Sequence, residues 1–311
     1  MRRKENSTAE IEFIILGFSG SSKLHKLLFV LLLSLYIITL FANILIIVIV
    51  KANRLLNSPM YFFLMHLALL EVCYLSVTIP KMLENLLTED KRITVLRCAL
   101  QLFFFLLFGV AECFLLAVMA LDRYVAICHP LRYTIIMNRS ISIKLVVGTY
   151  FCGIAVGLIH TISTFRLPFC GVIVNHFFCE IQPLLELLCG DTFLTEIQVI
   201  AVAMVVIMMP FVLIILSYIG ILSTVLAMPL SENRYKAFST CSSHVVVVTL
   251  FYGTGSCIYL KTKSSYNPSM DKLLSLSYSL VTPLLNPIIY SLKNKEIKSG
   301  ISKLWNKAVS T

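Results

Sequence analysis

Apolar residues in this chain fall into seven long blocks, and the charges collect in the stretches between them. The blocks run Leu27–Val50, Pro59–Ile79, Ala99–Leu121, Leu145–Phe165, Ile197–Ala227, Ala237–Leu260 and Leu273–Leu292. Leu27–Val50 carries no charge, and Ala99–Leu121 carries one, Glu112. A helix rises about 1.5 Å per residue, so about 20 residues cross a hydrocarbon core. Period-two alternation is missing, which favours helices over a barrel. The pattern predicts an all-α membrane protein, a seven-transmembrane helix bundle spanning 27–292. After it, Ile297, Ile301, Leu304 and Trp305 recur at helical spacing among lysines, so the tail 293–311 should hold a short amphipathic helix lying on the inner leaflet.

Composition agrees. The 311 residues are 58% hydrophobic and 14% charged, with a mean hydropathy of +0.89, far from a soluble domain. The net charge of +10 does not imply nucleic acid. With the amino terminus outside, Lys and Arg divide evenly between the two faces, while carboxylates gather outside, so anionic inner-leaflet lipid is the simplest partner. The sequon Asn6-Ser7-Thr8 supports an extracellular segment 1–26, glycosylated at Asn6; Asn138-Arg139-Ser140 would face the cytosol. Cys98, Cys170, Cys179 and Cys189 then lie where disulfides form, and spacing alone leaves all three pairings open.

Depth along the helices brings polar residues together. Glu112 lies about 16 Å above Arg123, and Glu71 about 18 Å from the inner end of its block. Asn43 and Asn286 sit slightly deeper toward the cytosol. Two carboxyl groups at one depth in low dielectric cannot both stay charged unless a cation joins them. Glu71 and Glu112 should therefore share a Na⁺ or hold at least one proton; no other cofactor is implied, and protonated carboxyls bonding between helices would need no ion.

The third block ends Met119-Ala120-Leu121-Asp122-Arg123-Tyr124-Val125-Ala126-Ile127-Cys128, and the seventh ends Pro283-Leu284-Leu285-Asn286-Pro287-Ile288-Ile289-Tyr290. An Arg at the inner mouth of a bundle, beside its own carboxylate, is a candidate switch, and a proline inside a spanning helix is a candidate hinge. Pro59-Met60-Tyr61-Phe62-Phe63-Leu64, Ser217-Tyr218, Phe251-Tyr252-Gly253 and Lys236-Ala237-Phe238-Ser239-Thr240-Cys241-Ser242-Ser243-His244 join them. Together these motifs resemble the rhodopsin-like (class A) G-protein-coupled receptors, and the olfactory (odorant) receptors specifically, over nearly the whole chain. Departures are small: Ala42-Asn43 for the usual Gly-Asn, Leu121 where Tyr commonly precedes Asp-Arg, and Glu71 where Asp is common.

The resemblance implies Cys98–Cys179 and Cys170–Cys189 disulfides. It implies that Arg123, restrained by Asp122, is released on activation, with Tyr218 and Tyr290 steadying the open state and Asn286 and Pro287 at the hinge. A heterotrimeric G protein of the stimulatory olfactory type would be the partner, with cAMP as readout; the receptor is not an enzyme. Candidate ligand contacts share helix faces: Phe105, Leu106, Gly109 and Val110 on the third helix, Val202 and Val206 on the fifth, Tyr252, Gly255 and Tyr259 on the sixth, Leu276 and Ser279 on the seventh.

No Lys lies between Leu273 and Leu292, which excludes a retinal Schiff base there, and Phe105 stands where amine receptors carry an acid. The expected ligand is a small, neutral, mostly apolar volatile, oriented by hydrogen bonds from Tyr252, Tyr259 or Ser279. Lys263 and Glu180, nearer the rim, would modify this. Two other readings are an identical machinery sensing an internal metabolite, and a transporter or channel motivated by Glu71 and Glu112. The latter needs a continuous polar path that the apolar outer half does not offer.

Overall fold

The computed structural model describes residues 12–53, 56–190, 192–227, 232–260, 267–293, 297–300 and 302. Seven long helices run through them: Ser22–Ala52, Pro59–Leu87, Val95–Cys128, Arg139–Phe165, Phe193–Ala227, Glu232–Tyr259, and a seventh beginning as Pro268–Leu276 and continuing through Ser277–Val281 into Thr282–Lys293. The sequence writes several of their starts. Thr94 and Asn138 side chains accept the backbone N–H of Arg97 at 3.3 Å and of Ile141 at 3.0 Å. Pro59 and Pro268 open their helices, where a missing N–H is no loss. The third helix outruns its apolar block to Cys128, so Asp122 and Arg123 lie within its final two turns.

Among the described residues, the first five helices are long and apolar enough to cross a membrane, and the sixth has a shorter apolar stretch, His244–Tyr259. Apolar side chains face outward, as Leu27, Val30, Leu31, Ile37 and Phe41 do on the first helix. That is wrong for water and right for lipid. The third helix is the hub, packing on the second, fourth and fifth. Small residues let it approach the fourth: a methyl on Gly157 would stand 3.0 Å from the Phe103 carbonyl oxygen, and one on Gly153 would clash with that of Leu107.

One end of the bundle is capped by a feature absent from the sequence reading. Strand β1 (Glu12–Ile15) pairs antiparallel with β2 (Arg92–Thr94), placing Phe13 opposite Ile93, and parallel with β3 (Ile173–Val174). Phe13 and Ile15 are fully buried. Both disulfides lie at this end: Cys98–Cys179 with Cα atoms 5.5 Å apart and Cys170–Cys189 at 5.3 Å. Lys272 Nζ donates to the Gly17 carbonyl at 2.8 Å and to Asn175 Oδ1 at 2.9 Å, tying the seventh helix to the cap.

At the opposite end, Ile297 is buried and Gly300 lies against Ile49, so the start of the tail helix packs on the first helix. Asn6, Lys263, Ile301, Leu304 and Trp305 lie outside the described residues.

Candidate functional site

A cavity of about 770 Å³, counting its opening, lies toward the disulfide end between the third, fourth, fifth and sixth helices. The third helix contributes Phe105, Leu106, Gly109, Val110 and Cys113, one continuous face. Val156 and His160 come from the fourth, Val199, Val202, Ala203, Val206 and Ile207 from the fifth, and Phe251, Gly255 and Tyr259 from the sixth. Tyr74, Tyr278 and the loop residue Ile181 close it.

Three expected wall residues stand elsewhere. Tyr252 is turned away, its hydroxyl donating to the Cys113 carbonyl at 2.7 Å, because the sixth helix presents the face of Phe251, Gly255 and Tyr259. Leu276 and Ser279 miss the wall because residues 277–281 form a π-helical turn. That wider turn shifts the facing register, bringing Tyr278 inward, while Ser279 Oγ donates back to the Ser275 carbonyl.

Glu180 is not at the rim, as the sequence suggested; it is 1% exposed, in the roof above this cavity. The neighbouring Cys98–Cys179 disulfide fixes it, and Gln101 helps by accepting the Cys179 N–H at 3.0 Å and donating to the Val77 carbonyl at 2.9 Å. One Glu180 oxygen accepts the hydroxyls of Tyr259 and Tyr278, both at 2.8 Å. The other accepts Ser275 Oγ at 3.1 Å and lies 3.2 Å from His176 Nε2. Burial pushes the Glu180 carboxyl up, and the hydrogen bonds from Tyr259, Tyr278 and Ser275 oppose that rise. Burial also pushes His176 down to about 3, so at neutral pH the imidazole is neutral, its contact with Glu180 is not an ion pair, and its Nε2 bonds Ser275 Oγ at 3.0 Å.

At the other end of the third helix, Arg123 is 6% exposed and Asp122 2%. Asp122 Oδ1 accepts the hydroxyl of Tyr133, from the short helix Tyr133–Ile136, at 2.9 Å. Tyr218 of the fifth helix bonds His244 Nδ1 of the sixth at 2.8 Å, and its hydroxyl also lies within reach of Arg123. Three helices thus converge on one guanidinium. The sequence reading assigned no role here to His244 or Tyr133. Pro287 and Asn286 lie in the last segment of the seventh helix; the Tyr290 side chain lies outside the described residues.

This arrangement has clear relatives. A family model described as olfactory receptor matches residues 32–307. Human (Homo sapiens) olfactory receptor 10A3 is 49% identical over 308 residues, covering 99% of this chain and 98% of that protein. Human olfactory receptor 10C1 is 50% identical over 305 residues, 98% of each. The chain belongs to the olfactory receptor family. Its fold is also that of the squid rhodopsin crystal structure, with a TM-score of 0.72 at 14% identity, covering 94% of this chain and 88% of that one. Olfactory receptors are multi-pass membrane proteins that couple to G proteins and are not enzymes.

Between cavity and Arg123, this olfactory receptor buries the four polar residues that helix rise grouped in the lower middle of the bundle, Glu71, Glu112, Asn43 and Asn286. Asn286 Nδ2 donates to Glu71 Oε1. Asn43 Nδ2 donates to the Thr39 carbonyl at 3.1 Å and reaches that of Pro283 at 3.5 Å. Glu71 Oε2, Glu112 Oε1 and Asn286 Oδ1 are buried without a hydrogen-bond partner. These open positions are all oxygen, the donor type a hard cation takes, and a carboxyl proton would satisfy one of them. Among the described residues no trio of His, Cys, Asp or Glu is grouped to hold a metal ion.

Proposed function

We propose that this receptor takes a small, neutral, mostly apolar volatile into the cavity and activates a stimulatory olfactory-type G protein, raising cAMP. The disulfide end faces outside the plasma membrane and the Arg123 end faces the cytosol and its anionic lipid. The observation that carries the reading is the cavity wall. Most of it is Phe, Leu, Ile, Val, Ala and Gly, its polar members are three tyrosines, Cys113 and His160, none of them charged, and the one carboxylate in its roof already has partners on both oxygens. A charged guest would lose its hydration there without compensation.

Binding draws in the sixth and seventh helices through Tyr259 and Tyr278. Movement of the sixth helix separates His244 from Tyr218 and frees Arg123 for the G protein. Glu71, Glu112 and Asn286 hold a Na⁺ or share a proton in the resting state, which satisfies the oxygens left open there. A volatile panel applied to cells carrying surface-verified receptor and a cAMP reporter tests the reading. A dose-dependent rise with neutral apolar compounds is expected; responses confined to charged compounds would overturn it.

A further inference from the structure

The polar groups of the cavity wall divide into two kinds. Tyr259 and Tyr278 each donate their proton to Glu180, and the Cys113 thiol points at the Val206 carbonyl at 3.4 Å. The Tyr74 hydroxyl lies within reach of Tyr278. The donors of Tyr259, Tyr278 and Cys113 are thus committed to the protein itself. His160 is different. It lines the cavity from the fourth helix, is 4% exposed, and its Nδ1 is buried with no hydrogen-bond partner.

An imidazole so deep without a partner is costly, and a neutral one carries one donor and one acceptor. Orphaned buried N–H groups are rarer than under-used acceptors, so the proton belongs on Nε2 and the sealed Nδ1 is the bare acceptor. We propose that the Nε2–H of His160 is the hydrogen-bond donor that anchors the ligand. The class it selects is neutral molecules bearing one accepting oxygen (ketone, ester or ether) on an apolar body.

This rests on the odorant-receptor reading of the cavity and adds to it a polarity. With their protons held by Glu180, Tyr259 and Tyr278 offer only lone pairs, which a carbonyl or ether cannot use. An acceptor is therefore sent to the fourth helix rather than to the tyrosines. An alcohol with its oxygen at His160 brings a proton whose takers on the wall, the lone pairs of Tyr259 and Tyr278, stand on the sixth and seventh helices rather than beside it, so it loses water without a local partner.

The test uses full-length receptor in cells, with surface density and cAMP read together, against medium-chain ketones, methyl ethers, alcohols and alkanes of matched length. Ketones and ethers should outrank alcohols and alkanes on the natural receptor. His160→Phe, which keeps the ring and removes the donor, should raise their half-effective concentration about tenfold or more, equivalent to ~1.4 kcal/mol. His160→Gln, which restores an N–H of similar reach, should recover part of that. Unchanged potency in His160→Phe, or alcohols outranking ethers on the natural receptor, would overturn the anchor. The second result needs no variant to fold. Silence of the natural receptor toward the whole panel at normal surface density would instead overturn the ligand class on which the anchor depends.

Discussion

The roof of the cavity and the acid cluster below it are both buried and polar, yet they are finished differently. In the roof, Glu180 has protein partners on both carboxylate oxygens, and the disulfide at Cys179 and the strand β1 hold its surroundings in place. In the cluster, Glu71, Glu112 and Asn286 each keep a buried oxygen with no partner. A carboxylate met on both oxygens in low dielectric favours one arrangement, even with His176 Nδ1 in the same roof left without a partner, whereas carboxyl and amide oxygens left open keep alternatives close in energy. The receptor thus pairs a rigid frame around its ligand with a loosely determined middle on the way to Arg123, which is what a switch requires.

That contrast can be broken by mutation. Removing the roof's fixing point should do most: Cys98→Ser removes a cross-link whose native counterparts are worth ~2–5 kcal/mol, and surface labelling of intact cells should fall to near background. Gly153→Leu, which drives a side chain into the Leu107 carbonyl, comes next. Its cost of about 1–3 kcal/mol should appear as a several-fold loss of surface receptor and a lower Tm in detergent. Tyr278→Phe leaves one Glu180 lone pair unmet at a cost of about 1–3 kcal/mol, to be read as a roughly 5- to 150-fold loss of agonist potency with surface density retained. Tyr278→Phe combined with Glu180→Gln should be less than additive, since both act on one network. The smallest effect belongs to the cluster. Glu112→Gln should leave potency within a few-fold under standard conditions, about 1 kcal/mol or less, while changing its dependence on Na⁺ or pH. If neither dependence moves, the two acids serve packing alone.

The sequence carried much of this, for reasons that differ by element. All seven helices were legible because each apolar block is long enough to cross a bilayer, and Asp122-Arg123 stood out as charge closing such a block. The wall of the third helix was readable because an unbroken helix keeps its face: Phe105, Leu106, Gly109 and Val110 all line the cavity. The seventh helix was not, since the π-helical turn Ser277–Val281 shifts the register and no residue type announces it. The β-cap escaped because strands of two to four residues are too short to show alternation. Glu180 was misplaced because its burial depends on a loop folded back by Cys98–Cys179, a contact across 81 residues. His160 was within reach of sequence reasoning, for an ionisable residue inside the block Leu145–Phe165 is a functional candidate by default.

The central claim is that ligand recognition at the disulfide end and signalling at Arg123 are separate parts joined by the bundle. Measuring agonist binding and agonist-driven cAMP side by side on Arg123→Ala, at matched surface density, tests it directly. Binding within a few-fold of the natural receptor, about 1 kcal/mol or less, with cAMP abolished is the predicted result. Undiminished cAMP, or binding and signal lost together, would contradict it.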